Sequence, residues 1–295
     1  MKENESLRLE KSPAKDPVES INTDFRRYAL LVTLGALLVI GIGACVTSQA
    51  NGRQLASRGM FNAIVHRDAA VAVIVLAISL ALLLSQAQEI AFLGWIAAGV
   101  LAMDSWAGWL GRPLVHATLA PLGFSIFAAI ALLSSSKWGE APEFVDARAA
   151  PLLRPLAMAG PALVLVQTLL GAAYRHKAIG VTAHLAGAMI VSIALLVAAT
   201  LVMQQYPTHR ALRSAAVWLL SILLTQVILG ATAFAMQLLD VGNAIALIAV
   251  TASHVVVGSL TLAASMVLAM QVQRNVRSEL RRDEAARAAN VANGA

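Results

Sequence analysis

Eight apolar runs, at approximately 28–48, 68–85, 90–110, 114–134, 152–173, 181–203, 213–236 and 246–271, constrain this chain more than any other feature. Each is long enough to cross a hydrocarbon core of about 30 Å as a helix. With 59% hydrophobic and 13% charged residues, a water-soluble core of 295 residues could not hide so much apolar surface, so lipid is the solvent. The sequence therefore predicts an all-α membrane protein with eight transmembrane helices. The polar stretch Ser134 to Pro151 divides the runs four and four. This gives an N-terminal tail 1–27, an N-terminal half 28–134, a linker 135–151, a C-terminal half 152–271 and a C-terminal tail 272–295. The tails are charged and rich in small residues; the first is expected to be disordered and the second to form a surface helix.

Basic residues orient the runs. With the N-terminus inside, sixteen Lys and Arg fall on the inner side and six (Arg53, Arg58, Arg67, Arg112, Arg175 and Lys177) on the outer. That bias predicts both termini, and the linker, on the cytoplasmic side of a bacterial inner membrane. The net charge of +6 sits mostly in tails and inner loops, where it suits anionic lipid and not nucleic acid. Cys45 stands alone, which excludes an internal disulfide and cysteine-ligated iron–sulfur or zinc centres. Ile42-Gly43-Ala44-Cys45 resembles a lipoprotein cleavage box, but the long n-region before it carries six acidic residues, so the first run is expected to remain a span.

Four histidines, His66, His116, His184 and His254, recur once in every second run, in segments otherwise almost free of ionisable groups. The even runs pass from outside to inside and each histidine lies in the first half of its run, so all four share the outer half of the membrane. A neutral imidazole in a membrane helix is the ordinary ligand of a heme iron; for a lone histidine, a hydrogen bond to a neighbouring helix is the equally simple alternative. Facing helices would pair His66 with His116 and His184 with His254. His209, in an inner loop, is expected to be solvated, and His176 lies in an outer loop. Gln167-Thr-Leu-Leu-Gly171-Ala172 and Gln226-Val-Ile-Leu-Gly230-Ala231 both spell Q-x-x-L-G-A, a pattern that suits close helix packing. Gly187 and Gly258, three and four residues after His184 and His254, are expected either to clear room for a flat macrocycle or to let helices pack.

Gln167 through Arg175-His176, followed by His184, resembles the fifth- and sixth-helix signature of heme A synthases, and His66-Arg67, His116 and His254 fall where that family places its other heme ligands. The resemblance spans residues 28–271 and is strongest in the second half. It implies two pseudo-symmetric four-helix bundles: a C-terminal one holding heme b through His184 and His254, and an N-terminal one in which His66 and His116 flank heme O as substrate. It also implies the family's activity, oxidation of a heme O methyl group to the formyl group of heme A for terminal oxidase assembly. The partners implied are the farnesyltransferase that makes heme O and an electron acceptor that the sequence does not name; a homo-oligomer is compatible.

Two departures stand out. The family's E-x-x-H-R reads Ala63-Ile-Val-His66-Arg67 here, and the loop from Gln49 to Val65 lacks the family's cysteine pair and W-P motif. Asp104, near the outer end of the third run, is the candidate substitute acid; its alternative is an ion pair with Arg112 or another outer base. Arg67 and Arg175 either bind heme propionates or snorkel to the interface. Trp95, Trp106 and Trp109 read as an interface belt. Two further functional classes stay open: a quinone-linked di-heme cytochrome, and a non-catalytic heme-handling assembly protein.

Overall fold

The computed structural model describes residues 17–50, 63–86 and 90–277. Expectations about the first sixteen residues, the loop around Arg53 and Arg58, and the tail beyond 277 lie outside the described residues. The helices in chain order are α1 (Pro17–Ala50), α2 (Ala63–Leu84), α3 (Ala91–Trp109), α4 (Pro113–Leu133), a single turn α5 (Ser136–Gly139), α6 (Leu153–Arg175), α7 (Val181–Gln205), α8 (Arg210–Leu238) and α9 (Ala244–Asn275). Among the described residues eight of these are long and apolar enough to cross a membrane, four before the linker and four after it.

In lipid, helices gain little from hiding apolar surface from one another, so close approach through small residues decides their packing. A Cβ at Gly94 of α3 would stand 3.0 Å from the Ala81 Cα of α2, and the first half buries Ala29, Ala36, Ala77 and Ala97 around Leu80 and Phe127. In sequence order α1, α2, α3 and α4 each pack on the next and α4 returns to α1; α6, α7, α8 and α9 close a second ring in the same way. The second ring has its own core, centred on Leu153, Leu195, Leu212, Leu219 and Leu262. The rings meet where α1 and α4 touch α9 and α4 touches α6. Large side chains on the opposite faces, such as Leu34, Leu38, Val75, Met189, Ile190 and Leu224, are exposed and suited to acyl chains.

Three of the odd-numbered spans of the sequence end alike. After α3, α6 and α8 one residue adopts a left-handed conformation (Gly111, Lys177 and Asp240, φ 64°, 58° and 47°), and the next amide reaches back to a carbonyl five residues earlier: Arg112 to Ala107, Ala178 to Ala173 and Val241 to Met236. Only Gly111 adopts this without steric cost; the other two accept about 1 kcal/mol each to make the same turn. One helix end, used three times, sends each even span back beside the odd one before it.

Several expected boundaries move. The N-terminal tail ends sooner than residue 27, because α1 begins at Pro17. Span two starts at Ala63, five residues earlier than hydropathy suggests; Arg67 and Asp68 depress the hydropathy but are exposed, while Val65 and His66 just before them are half-buried. The C-terminal tail begins later than 272: α9 runs to Asn275, and Val276–Arg277 pairs in parallel with Val145–Asp146 of the linker. Contact with the linker buries Val272 and Val276, so protein, and not lipid, stabilises this extension.

The linker is accordingly a strap. Tyr206 donates from its hydroxyl to the Asp146 carbonyl at 2.7 Å, and burial, reinforced by the Asp146 charge, pushes its phenol up from the usual range. Arg277 lies over Phe144, and Arg274 lies over Trp138 while donating to the Glu140 carbonyl. His209, expected to be solvated, is 3% exposed. Its Nδ1 accepts from the Leu212 amide at 3.2 Å, capping α8, so Nε2 carries the proton and donates to the Glu143 carbonyl at 2.9 Å.

Candidate functional site

An imidazole lying across an antiparallel helix pair needs a gap in the neighbouring helix wide enough for a flat ring. Each of the four histidines meets a glycine on the span before its own. A Cβ at Gly43 would stand 2.7 Å from His66 Cε1, at Gly108 3.3 Å from His116 Nδ1, at Gly171 3.0 Å from His184 Cε1 and at Gly230 2.9 Å from His254 Cε1. A methyl group at any of these positions would force the ring to move. Four odd-to-even helix pairs thus carry the same notch, and all four notches lie toward one end of the spans, beside the C-terminal ends of α1, α3, α6 and α8.

The notches meet in twos. The His66 and His116 ring centres are 5.9 Å apart at an interplanar angle of 74°, and those of His184 and His254 are 6.3 Å apart at 87°. All four rings are half-buried. These are the pairs that span parity predicts.

One turn before each glycine stands the residue that faces the histidine ring. In α6 this is Gln167: its amide nitrogen donates to the His184 carbonyl at 2.9 Å and meets His184 Nδ1 at 2.9 Å. In α8 it is Gln226, whose amide nitrogen is 3.4 Å from His254 Nε2. In α3 it is Asp104: His116 Nδ1 lies 3.1 Å from the Asp104 carbonyl and 2.9 Å from its Oδ1. Both of these neighbours only accept, so His116 holds its proton on Nδ1 and leaves Nε2 bare. In α1 it is Val39, whose side chain offers no hydrogen bond; His66 Nδ1 is buried without one, as is His254 Nδ1. The Q-x-x-L-G-A motif therefore does two things at once: the glycine seats the ring and the glutamine steadies it.

Gly187 and Gly258 have a different role from clearing a macrocycle. A Cβ at Gly187 would stand 2.3 Å from Gln167 Oε1, and one at Gly258 3.1 Å from Gln226 Nε2. They make room for the glutamines. Asp104, 7% exposed, does not pair with Arg112; its partner is His116. Arg175 reaches α1, donating to the Ala44 carbonyl at 2.5 Å and Ser48 Oγ at 2.6 Å, and Ser48 in turn lies 3.1 Å from Thr251 Oγ1 of α9. Arg67 is exposed, as is Ala63. Trp106 and Trp109 are 62% and 81% exposed, as an interface belt requires. Tyr174, next to Arg175, lies parallel to His184 at 6.1 Å between ring centres and donates to Gln237 Oε1 at 2.9 Å.

Gly43, Gly108 and Val39 escape a reading of the sequence. The signal that finds Gly108 is its spacing: Asp104 and Gly108 are four apart, like Gln167 and Gly171, and like Gln226 and Gly230.

Two imidazoles on opposite sides of one iron, with metal–nitrogen bonds of about 2 Å and roughly 1 Å from each nitrogen to its ring centre, hold the centres about 6 Å apart. Both pairs match that spacing, and rotation of one ring plane against the other about the metal axis is free. Among the described residues no group of three or more His, Cys, Asp or Glu is placed to hold a metal ion. A pair of imidazoles thus suits an iron that brings its own equatorial ligands, as in a heme, better than a bare ion. A histidine that gives Nε2 to iron needs an acceptor at Nδ1. Asp104 is one already, whereas Gln167 presents its amide nitrogen to Nδ1 of His184 and Gln226 faces Nε2 of His254. The spacing of the imidazole pairs fits the group.

Compared with known protein families, with curated proteins and with solved structures, the chain matches none.

Proposed function

We propose that this protein is a heme-binding membrane oxidoreductase of the heme A synthase kind, with both termini cytoplasmic. His184 and His254 hold a resident heme b, and His66 and His116 flank heme O during oxidation of its methyl group to a formyl group, in which water supplies the oxygen and four electrons and four protons leave to an external acceptor. The observation that carries this reading is the pair of imidazole couples about 6 Å apart, side by side at one end of the spans. Heme b, when bound, supplies a one-electron store beside the oxidation. The chain's own residues do the rest: the glycine notches seat the imidazoles, Gln167 and Gln226 orient one pair, Asp104 orients His116, and the surrounding helices exclude water. Exposed Arg67 is free to meet a propionate at the boundary.

A second reading is favoured by one observation. Asp104 touches the Nδ1 of His116, behind the ring, and Ala63 carries no acid, so neither supplies a carboxylate facing substrate. A heme-handling or electron-transfer protein that does not modify heme has no use for one.

Porphyrins extracted from the protein purified from cells that make heme O separate the two. Heme A beside heme b supports the synthase; heme b alone supports the second reading. In either case His184→Ala and His254→Ala are expected to abolish the low-spin, six-coordinate spectrum of the C-terminal heme. Wild-type heme content and spectrum in both variants would overturn the ligand assignment.

A further inference from the structure

Arg175 closes α6 one turn beyond Gly171, the notch that seats His184. Its side chain crosses the seam between the two rings of helices and donates to the Ala44 carbonyl at 2.5 Å and to Ser48 Oγ at 2.6 Å, both on α1. Ala44 adjoins Gly43, the notch that seats His66. Ser48 lies 3.1 Å from Thr251 Oγ1 of α9, and Thr251 stands three residues, about one helical turn, before His254. One guanidinium is thus tied to the housing of three of the four imidazoles, two of them in the C-terminal couple.

A guanidinium keeps its charge at any pH at which the protein is folded. The Ala44 carbonyl and the Ser48 hydroxyl are neutral groups, which orient that charge without cancelling it. A positive charge beside an iron favours Fe(II) over Fe(III), and the effect grows where water is excluded. We propose that Arg175 is a positioning residue of the seam: it holds the two halves together at the end where the histidines lie, and its charge raises the reduction potential of the C-terminal iron. This assignment rests on the heme reading above. It differs from both roles expected of Arg175, a propionate ligand and a snorkelling side chain, because the guanidinium is committed to α1.

The test uses the whole protein loaded with heme b by titration, with heme potentials read by optical redox titration and the C-terminal signal assigned as the one that His184→Ala removes. Arg175→Gln removes the charge and keeps a hydrogen-bonding side chain. At the parent's midpoint the ferrous-to-ferric ratio of the C-terminal heme is expected to fall about tenfold, or about 59 mV for one electron, with the heme-to-protein ratio unchanged. Arg175→Lys keeps the charge and should stay within about threefold of the parent ratio. Because loss of the arginine can loosen the seam, Ser48→Asp is read beside it. That variant sets a carboxylate against the same guanidinium, leaves the contact with α1 in place and should lower the potential in the same direction. A parent that holds no heme removes the heme reading and this assignment together. In a parent whose C-terminal couple holds heme, an unchanged potential in Arg175→Gln and Ser48→Asp overturns the assignment alone. An equal fall in Arg175→Lys does the same, since the charge would not be what acts, and so does loss of heme from both Arg175 variants, which would make Arg175 a heme contact.

Discussion

In the C-terminal half both histidines face an amide four residues before their glycine; in the N-terminal half one faces a carboxylate and the other a valine. The backbone arrangement is the same in all four places, so the difference is one of side-chain chemistry at a fixed address. An amide can turn its nitrogen or its oxygen toward an imidazole and so tolerates either tautomer. A carboxylate only accepts and permits one. Valine does neither. The two amides are not equivalent either: Gln167 meets His184 at Nδ1 and Gln226 meets His254 at Nε2, so His254 Nδ1, like His66 Nδ1, is buried without a hydrogen bond. The halves thus share a frame and differ in the side chains set on it.

The largest effect that would break this comparison comes from the notches. Gly43→Val and Gly230→Val place carbon within 3 Å of the facing imidazole, at 2.7 and 2.9 Å for the first added atom, and are expected to displace the ring. Each should cost the heme of its own half and spare the other, halving the heme-to-protein ratio measured after titration. Loss of both hemes from either single variant would mean that the halves are not independent. Gly108→Ala, with its Cβ at 3.3 Å, should be tolerated with a shift of a few tenths of an ångström.

A smaller effect sharpens the comparison inside the C-terminal half. Gln167→Leu removes two contacts of 2.9 Å, whereas Gln226→Leu removes one of 3.4 Å. Both should weaken heme binding within the 10–100-fold range of about 1.4–3 kcal/mol, with Gln167→Leu the more severe. Equal affinities in the two variants, measured by heme titration, would show that hydrogen-bond geometry is not what distinguishes the two imidazoles.

The smallest effect concerns the turn after α6. His176 there has its imidazole pushed down from the usual histidine range by burial and then by its neighbours, Arg175 first. A histidine kept neutral by the fold contributes stability that is present above its unfolded value of about 6.5 and is lost as pH falls from there toward the lower folded value. Thermal unfolding in nanodiscs is therefore expected to drop on acidification below about pH 6.5, and His176→Gln should flatten that drop. An unchanged pH profile in the variant would assign the loss to other groups.

Much of this was legible in the chain. The spans are a matter of composition, because lipid imposes one requirement along some twenty residues at a time. The pairing of His66 with His116 and of His184 with His254 follows from counting spans, since alternate helices enter from the same side. Boundaries were less legible where protein replaces lipid as the neighbour. Asn275 looks like part of a tail that begins at 272, yet it is buried in α9, which the strap from the linker covers. His209 looked solvated for the same reason.

The sequence by itself determined that the chain lives in a membrane, how many times it can cross, and which imidazoles share a depth, because those properties depend on residue type and spacing along single helices. Only the tertiary structure decided which residue stands behind each imidazole. Asp104, Gln167, Gln226 and Val39 have no common chemistry to reveal their kinship, and Gly43 and Gly108 look like any small residue in a membrane helix. Their equivalence exists only across helix pairs, where the notch glycine brings the previous span within reach of the ring. Hydrogen bonding between helices depends on distances of about 3 Å, which sequence spacing along either helix does not encode.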